Sequence, residues 1–481
     1  MSSLKANIIL NFINTVTGII FPVITFPYAA RVLMPEGIGV VNFLSSVVAY
    51  IVLLTSLGIP MYAVREVAKC RDDKAVRDQT AVEILSLSLV LCLLGYLIVW
   101  LLGVYVPQIN RQLSLFYVLS LTILFTSLGI NWFYQAVEDF KFITLRALVF
   151  RILAVAALFL FVKDKDDLLI YAFVVVGSTV GNNFINFIHL RKYLAFQSIP
   201  WRSLRIWKHL RPALRIFIFN LITSIYLNLN TVMLGFMKGD EAVGYYTAGN
   251  KLSHVILSMV ASLGVVMLPR CSNLVKNGQE KEFAGITSKS YRFVIALSFP
   301  CVAALIILAK PIILLFCGEE FAEATTVLYW TAPIIIFIGL TNVLGMQILY
   351  PLGKENLVIW SVAGGAFFNL ILNFLLIPTY GANGAAFSTF VAEFSVLAIQ
   401  MVWGQAYIPF PYFKKEYLIY LLGSIVMGIF FCFLIFYVHN IWILMSVSIL
   451  VGILIYSSTL YLAKDSLLSE ALSYIQKQVK K

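Results

Sequence analysis

The sequence predicts an all-α polytopic membrane protein of about fourteen transmembrane helices, arranged as two pseudo-symmetric six-helix lobes plus two C-terminal helices. Three observations predict it. The composition is strongly apolar, uncharged runs of membrane-crossing length recur from end to end, and lysine and arginine alternate with those runs. The 481 residues are 61% hydrophobic and 12% charged, with a mean hydropathy of +0.91. Soluble domains average about 45–50% apolar and roughly 25% charged residues, so one aqueous core cannot cover this much apolar surface.

In order, the spans run 6–30, 37–59, 80–104, 113–135, 146–162, 168–190, 213–236 and 243–269, then 289–308, 327–350, 357–377, 384–403, 417–437 and 441–462. Most are near the ~20 helical residues that cross a ~30 Å hydrocarbon core. The runs are continuous, as in 81–106, 113–136, 334–352 and 417–438, whereas barrel strands alternate and are only about ten residues long. About fourteen crossings use most of the chain, so no loop has room for a soluble catalytic domain. The chain is expected not to be an enzyme: it has no Walker loop, no Ser/His/Asp arrangement and no DxD on an outer loop.

Orientation follows from the cations. With the N-terminus inside, 27 of the 35 Lys and Arg fall in cytoplasmic segments, including Arg146 and the block from Arg191 to Arg215. Five fall outside (Arg111, Lys163, Lys165, Lys238, Lys310), and Arg31, Arg151 and Lys251 lie within spans or at their ends. The positive-inside rule then places both termini in the cytoplasm. The net charge of +12 is a topology signal and a fit to anionic headgroups, not a nucleic-acid signal. No cleavable signal peptide is expected, because the first apolar stretch is too long for one. The six cysteines lack CxxC spacing and the four histidines lack metal spacing, so neither a structural disulfide nor a metal site is expected.

A faint repeat organises the chain. Glu36-Gly-Ile-Gly-Val-Val-Asn42 echoes Glu241-Ala-Val-Gly-Tyr-Tyr-Thr247 at an offset of 205, and Leu57-Gly-Ile-Pro-Met61 echoes Leu263-Gly-Val-Val-Met267 at 206. The expected domains are an N-lobe (1–190, spans 1–6), a cytoplasmic amphipathic linker (191–212), a C-lobe (213–403, spans 7–12), and spans 13–14 with a cytoplasmic tail (404–481). Parallel repeats of this kind place a substrate site near midplane between them.

Ionisable groups at membrane depth are costly and point to function. Arg31 follows Pro22 and Pro27 in span 1, Arg151 sits in the first turns of span 5, and Lys251 lies in span 8 beside Asn250 and His254. Facing one cavity, these cations suit an anionic substrate such as a diphosphate. The alternative for Arg31 and Arg151 is snorkelling to headgroups. Glu83 and Glu393 are the acids placed inside spans, and either is a candidate for H⁺ or Na⁺ coupling. The alternatives are headgroup solvation for Glu83 and neutralisation of a neighbouring cation for either. Span asparagines, among them Asn14, Asn42 and Asn250, can meet sugar hydroxyls or bridge helices.

The segment Pro27-Tyr-Ala-Ala-Arg-Val-Leu-Met-Pro-Glu-Gly-Ile-Gly39 resembles the polysaccharide-export branch of the MOP superfamily, in particular the Wzx-type O-antigen and oligosaccharide-repeat-unit flippases. Leu57–Lys69 with Arg71-Asp72-Asp73-Lys74, and the run from Asn369 and Asn373 through Pro378, Gly381 and Gly384, fit the same family. The departures are Met34, where that family often has Gly, and Pro60. The resemblance implies a MOP flippase-like fold and alternating access. The implied cargo is an undecaprenyl-diphosphate-linked oligosaccharide moved from the inner to the outer leaflet of the bacterial inner membrane. It implies no cofactor beyond H⁺ or Na⁺. The expected partners are membrane lipids, a polysaccharide polymerase and chain-length machinery, with the protein itself a monomer. The competing expectations are a multidrug exporter of the same superfamily, a membrane glycosyltransferase or polymerase, and a scaffold of an export complex. A cation exporter should carry acids in spans 1, 2, 7 and 8, and an enzyme should carry a long outer loop; neither feature is present.

Overall fold

A computed structural model describes residues 4–194, 204–470 and 473, and every regular element among them is helical. Ten helical stretches among the described residues are long and apolar enough to cross a membrane. Two of them, Ile20–Lys69 and Glu355–Tyr407, each hold two crossings, and two further helices of 28 and 37 residues supply the seventh and eighth. The structure therefore has the expected count of about fourteen. Large apolar side chains such as Leu93, Trp100, Leu160, Phe436 and Leu462 are exposed on these helices, where lipid is their solvent. The chain packs as two compact units, Met1–Gly244 and Tyr245–Lys481.

The first unit opens with α1 (Leu4–Ser56), a 53-residue helix that continues through Pro22 and Pro27 but breaks at Met34, whose φ is 60° and ψ 175°. The sequence left 31–36 as a loop; helix instead flanks a single bent residue. Pro35 follows, where its missing N–H is harmless because a helix start has unpaired donors anyway. Two positive-φ residues, Leu57 and Gly58, then turn the chain into α2 (Ile59–Lys69). A Cβ on Gly58 would come within 2.8 Å of the Phe217 nitrogen and 2.9 Å of the Ala213 oxygen, so glycine permits this close approach. Next come α3 (Lys74–Tyr105), capped by the Asp73 carboxylate, α4 (Pro107–Asn110), α5 (Leu113–Leu128) and the short α6 (Asn131–Ala136). Then follow α7 (Phe140–Phe161), α8 (Leu168–Leu190), a 3₁₀ turn (Ile206–His209) and α9 (Leu210–Met237). Ile59, Tyr62, Val67, Ile84, Trp132 and Phe133 form a buried core that reaches Ala213. Packing divides the chain one helix later than the 190/213 lobe boundary read from sequence, because α9 packs on α1 and α2.

The echo between residues 36–42 and 241–247 has a structural counterpart. A Cβ on Gly39 would overlap the carbonyl of Asp240, and one on Gly244 would overlap the carbonyl of Pro35. At the same offset of 205, Met34 pairs with Gly239, and both have positive φ, 60° and 89°. The two copies of the motif therefore each follow a positive-φ residue, and their backbones cross at Gly39 and Gly244.

The second unit contains α10 (Asp240–Lys276) from Tyr245 onward, α11 (Glu280–Ile307), α12 (Ala309–Phe316), α13 (Ala324–Thr331) and α14 (Ile334–Asn342). A π-helical segment, Val343–Leu349, completes span 10. In α15 (Glu355–Gly404) two crossings meet at Gly381, where φ is 53°. The final pair is α16 (Tyr417–Tyr437) and α17 (Ile441–Leu462). The sequence treated these two as additions to the repeat; in the structure α16 packs directly on α11. Asp465, just past α17, is buried and accepts from Tyr420 at 2.7 Å and from Arg292. Burial alone would raise its carboxyl, but those hydrogen bonds and the Leu468 N–H hold it below the usual range.

Candidate functional site

The membrane-depth cations of the first unit lie along the α1–α7 pair. Arg151 donates to Thr17 Oγ1 and lies beside Gly18, whose missing side chain leaves room for the guanidinium. Further along, Tyr28 donates to the Val162 carbonyl at 2.7 Å and packs its ring on Phe159. The two helices thus run side by side in the same direction. Arg31 is exposed, one turn beyond Tyr28 and fourteen residues beyond Thr17. At 1.5 Å per residue the two arginines are about 21 Å apart along α1. A single diphosphate cannot touch both, although a headgroup travelling along α1 would meet them in turn.

Arg151 instead faces a polar cavity of about 260 Å³ lined by Asn131, Ser178, Thr179, Asn182 and Asn183. Behind this wall lies Arg146, only 6% exposed, which donates to Asn182 and to Asn131 Oδ1 at 3.0 Å. Asn186 donates to the Gly129 carbonyl and to Asn131 Oδ1 at 2.8 Å, and accepts at its own carbonyl from Tyr134 at 2.6 Å. The guanidinium of Arg146 stacks 4.9 Å from the centre of the Phe142 ring. The charge tally counted Arg146 as a cytoplasmic topology residue. In the structure α7 begins six residues earlier than the predicted span, and Arg146 lies in the packed interior. Its signal in the sequence was the asparagine pair at i and i+4 on α8, Asn182 and Asn186, which shares one helix face.

Glu83 is fully buried at the start of α3. Oε1 accepts from Gln79 Nε2 at 3.0 Å and from the Arg205 N–H at 2.9 Å; Oε2 accepts from Lys208 at 2.6 Å and His209 Nε2 at 3.0 Å. These four donors fill the carboxylate's roughly four lone-pair directions. His209 must therefore carry its proton on Nε2, which leaves Nδ1 to accept from Tyr62 at 2.8 Å. Three of the donors come from the linker, so Glu83 tethers it to α3. Burial holds the His209 imidazole below its ordinary range, against the pull of Glu83.

The remaining sequence candidates are dispersed. Asn42 spends its amide on the Ile38 carbonyl of its own helix, at 2.7 Å. Asn14 lies outside the residues whose side chains are described. In the second unit, Lys251 is half-buried on α10, and His254 is exposed one turn further on, at the i+3 spacing that puts both on one face. Lys251 is eleven residues from the head of α10, about 16 Å along its axis. The Oδ1 of Asn250 is buried with no hydrogen-bond partner among the described residues. Glu393 is buried on α15 one turn from Thr389, which bonds to Tyr246 of α10 at 3.3 Å. An apolar groove of about 440 Å³ runs between α11 and α16, lined by Phe299, Val302, Ile307, Ile425 and Gly428.

Residues 4–275 match the family model described as polysaccharide biosynthesis protein, and residues 216–375 match a second, MatE. A protein of Shigella dysenteriae named "Putative O-antigen transporter" is 25% identical over 83% of this chain and 99% of its own length. Its namesake in Escherichia coli (strain K12) is 22% identical over 83% and 96%. The solved structure "Lipid II flippase MurJ, inward closed conformation" superposes with a TM-score of 0.78 at 15% identity, covering 96% of this chain and all of that one. That likeness shows the MOP-type helical fold, and the family match, which spans more than half of the residues, agrees with the cationic, asparagine-rich membrane interior. The chain is a multi-pass membrane protein of the polysaccharide biosynthesis protein family.

Proposed function

We propose that this protein is a flippase that carries undecaprenyl-diphosphate-linked oligosaccharide from the cytoplasmic to the outer leaflet of the bacterial inner membrane, by alternating access. The observation that supports the reading is that each unit carries cations within its membrane helices, Arg151 and Arg31 about 21 Å apart along α1 in the first and Lys251 about 16 Å along α10 in the second. A diphosphate cannot enter hydrocarbon unaided, and arginine forks and a lysine point charge replace its water. Asn250 and His254 flank Lys251 and offer groups to sugar hydroxyls. The apolar groove between α11 and α16 suits the polyprenyl chain, which needs no polar contact. With a cytoplasm-negative potential, outward movement of the anionic headgroup is favoured by up to about 2.3 kcal/mol per charge per 100 mV. Glu393, buried on α15, and Glu83, held by the linker, are the acids for H⁺ or Na⁺ coupling. Both termini face the cytoplasm in this scheme, and the protein works as a monomer beside a polysaccharide polymerase and its chain-length machinery.

The test is leaflet-resolved accumulation of lipid-linked oligosaccharide in cells lacking the protein, complemented by wild type, Arg31→Ala or Lys251→Ala. The expected result is intermediate held in the inner leaflet and released by wild type alone, with both variants inserted normally. Normal outer-leaflet delivery without the protein, in a strain with no second flippase, would remove the reading. Wild-type transport by both variants would remove the cationic path.

A further inference from the structure

We propose that the cleft between α7 and α8 is a binding site for an anionic glycerophospholipid, with its phosphate at Arg151 and one acyl chain running along the cleft past Phe150. The polar cavity and a second, apolar cavity of about 340 Å³ share Phe150 and Ser178, so they adjoin end to end as one slot across the Phe150 ring. The Phe150 ring forms its waist, and it lies where a Cβ on Gly181 would stand. Beyond the waist the slot is lined by Leu153, Ala157, Phe161, Phe173 and Gly177. Nothing lies within 4 Å of a Cβ built on Gly177, so the slot is open along α8.

Charge selects the occupant of the polar end. No carboxylate is among its lining residues, which include Arg151. Behind them Arg146 is buried, makes no ion pair among the described residues, and leaves Nη1 without a hydrogen-bond partner there. A buried cation is stable only when an opposite charge or a full set of hydrogen bonds compensates its lost water. Asp139 attracts Arg146 from its other side, and an anion seated against Asn131, Asn182 and Arg151, one hydrogen-bonded side chain away, adds to that charge. Ser178 and Thr179 add hydroxyls for phosphate or glycerol oxygens.

Size and polarity select the lipid. Drug-sized ligands take pockets of about 300–1,000 Å³, and a cavity of about 260 Å³ suits a headgroup as small as phosphoglycerol. In the orientation set by the cations, α7 runs from the cytoplasm outward. The polar end, at residues 147–151 and 178–183, is then the inner one and the apolar end points outward. Arg151 stands eleven residues, about 16 Å, from the head of α7, so the phosphate is drawn from the inner headgroup layer to the middle of the helix.

The test uses the full-length protein in detergent, titrated with dioleoyl phosphatidylglycerol and dioleoyl phosphatidylcholine, with bound lipid counted by native mass spectrometry. The expected result is retention of phosphatidylglycerol well above phosphatidylcholine, weakened at least tenfold in both Gly177→Leu and Arg151→Gln. Gly177→Leu fills the apolar end with a better helix former whose Cβ meets no neighbour, so loss of binding with an unchanged thermal midpoint is not loss of fold. Equal retention of the two lipids, or wild-type binding by both variants, would overturn the proposal. Binding of sn-glycerol 3-phosphate as tight as the lipid would show a free phosphate site instead. Stoichiometric displacement by undecaprenyl diphosphate would assign the slot to the transported lipid; either result overturns the phospholipid assignment.

Discussion

Replacing Glu83 with alanine should release the linker at His209 without unfolding the protein. The carboxylate holds four donors, and they do not lose equally when it goes. His209 is 2% exposed, so its Nε2–H would be stranded away from water, and the Arg205 N–H would lose the acceptor that starts the 3₁₀ turn. A hydrogen bond to a charged group contributes about 1.5–3 kcal/mol. Lys208 is 48% exposed and can turn to solvent, so its ion pair adds little, about 0.5 kcal/mol after screening. Gln79, on α3 itself, can rehydrate. A loss of about 3 kcal/mol follows, the lower end of the ~3–5 kcal/mol seen when one partner of a buried ion pair is removed.

At about 1.4 kcal/mol per tenfold, the undocked linker should become about 100-fold more populated. Limited trypsin digestion of the purified protein, read by mass spectrometry at the Lys208–His209 bond alone, tracks that population when reclosing outpaces cleavage. Glu66→Ala is the control: its partners Arg65 and Lys69 are 57% and 62% exposed, and the bond at 208 should be cleaved as in wild type. Cleavage of Glu83→Ala within about threefold of wild type would refute the tether.

The same tether should respond to pH. Because burial lowers the His209 pKa from its ordinary 6.5, the unfolded linker binds the proton more readily. The stability is thus complete above pH 6.5 and lost as the pH falls through the lowered value; amide exchange at 205–210, corrected for intrinsic rates, should speed up on acidification in wild type and not in His209→Asn. Met34→Gly should stabilise the protein by about 1 kcal/mol, since φ 60° with ψ 175° is a region that essentially only glycine occupies without strain. A higher midpoint in thermal unfolding checks it, and no rise would mean that the bend stores no strain. Gly39→Ala and Gly244→Ala should each cost about 1–3 kcal/mol by overpacking the backbone crossing, read as a lower thermal midpoint. Their double variant should cost less than the sum, because both act on one contact.

The helices were legible in the sequence because hydrocarbon forces it: every backbone group at membrane depth must be paired within its own segment. The break at 31–36 was legible as a boundary but not as a bend, since one positive-φ residue leaves no trace in an apolar pattern. The repeat supplies the missing information. Gly239, at the same offset that aligns Gly39 with Gly244, shows what the turn needs, and Met34 occupies that conformation without glycine's freedom. The charged side chains were the hardest to place, because depth along a helix is written in the sequence but facing is not. The sequence places Arg151 in the first turns of span 5 and Arg31 at the end of span 1, yet their separation depends on α7 lying alongside α1, which only the Thr17 and Tyr28 contacts reveal. Arg146 reads from sequence as a topology cation and Glu83 as a coupling candidate with headgroup solvation as the alternative, and in the structure both are closed off by groups distant in sequence. Asparagines 131 and 182 cover Arg146, and residues 205–209 cover Glu83. A charge near a helix end therefore marks topology only if nothing packs over it. In this chain the two exceptions hold the linker and back the polar end of the α7–α8 cleft.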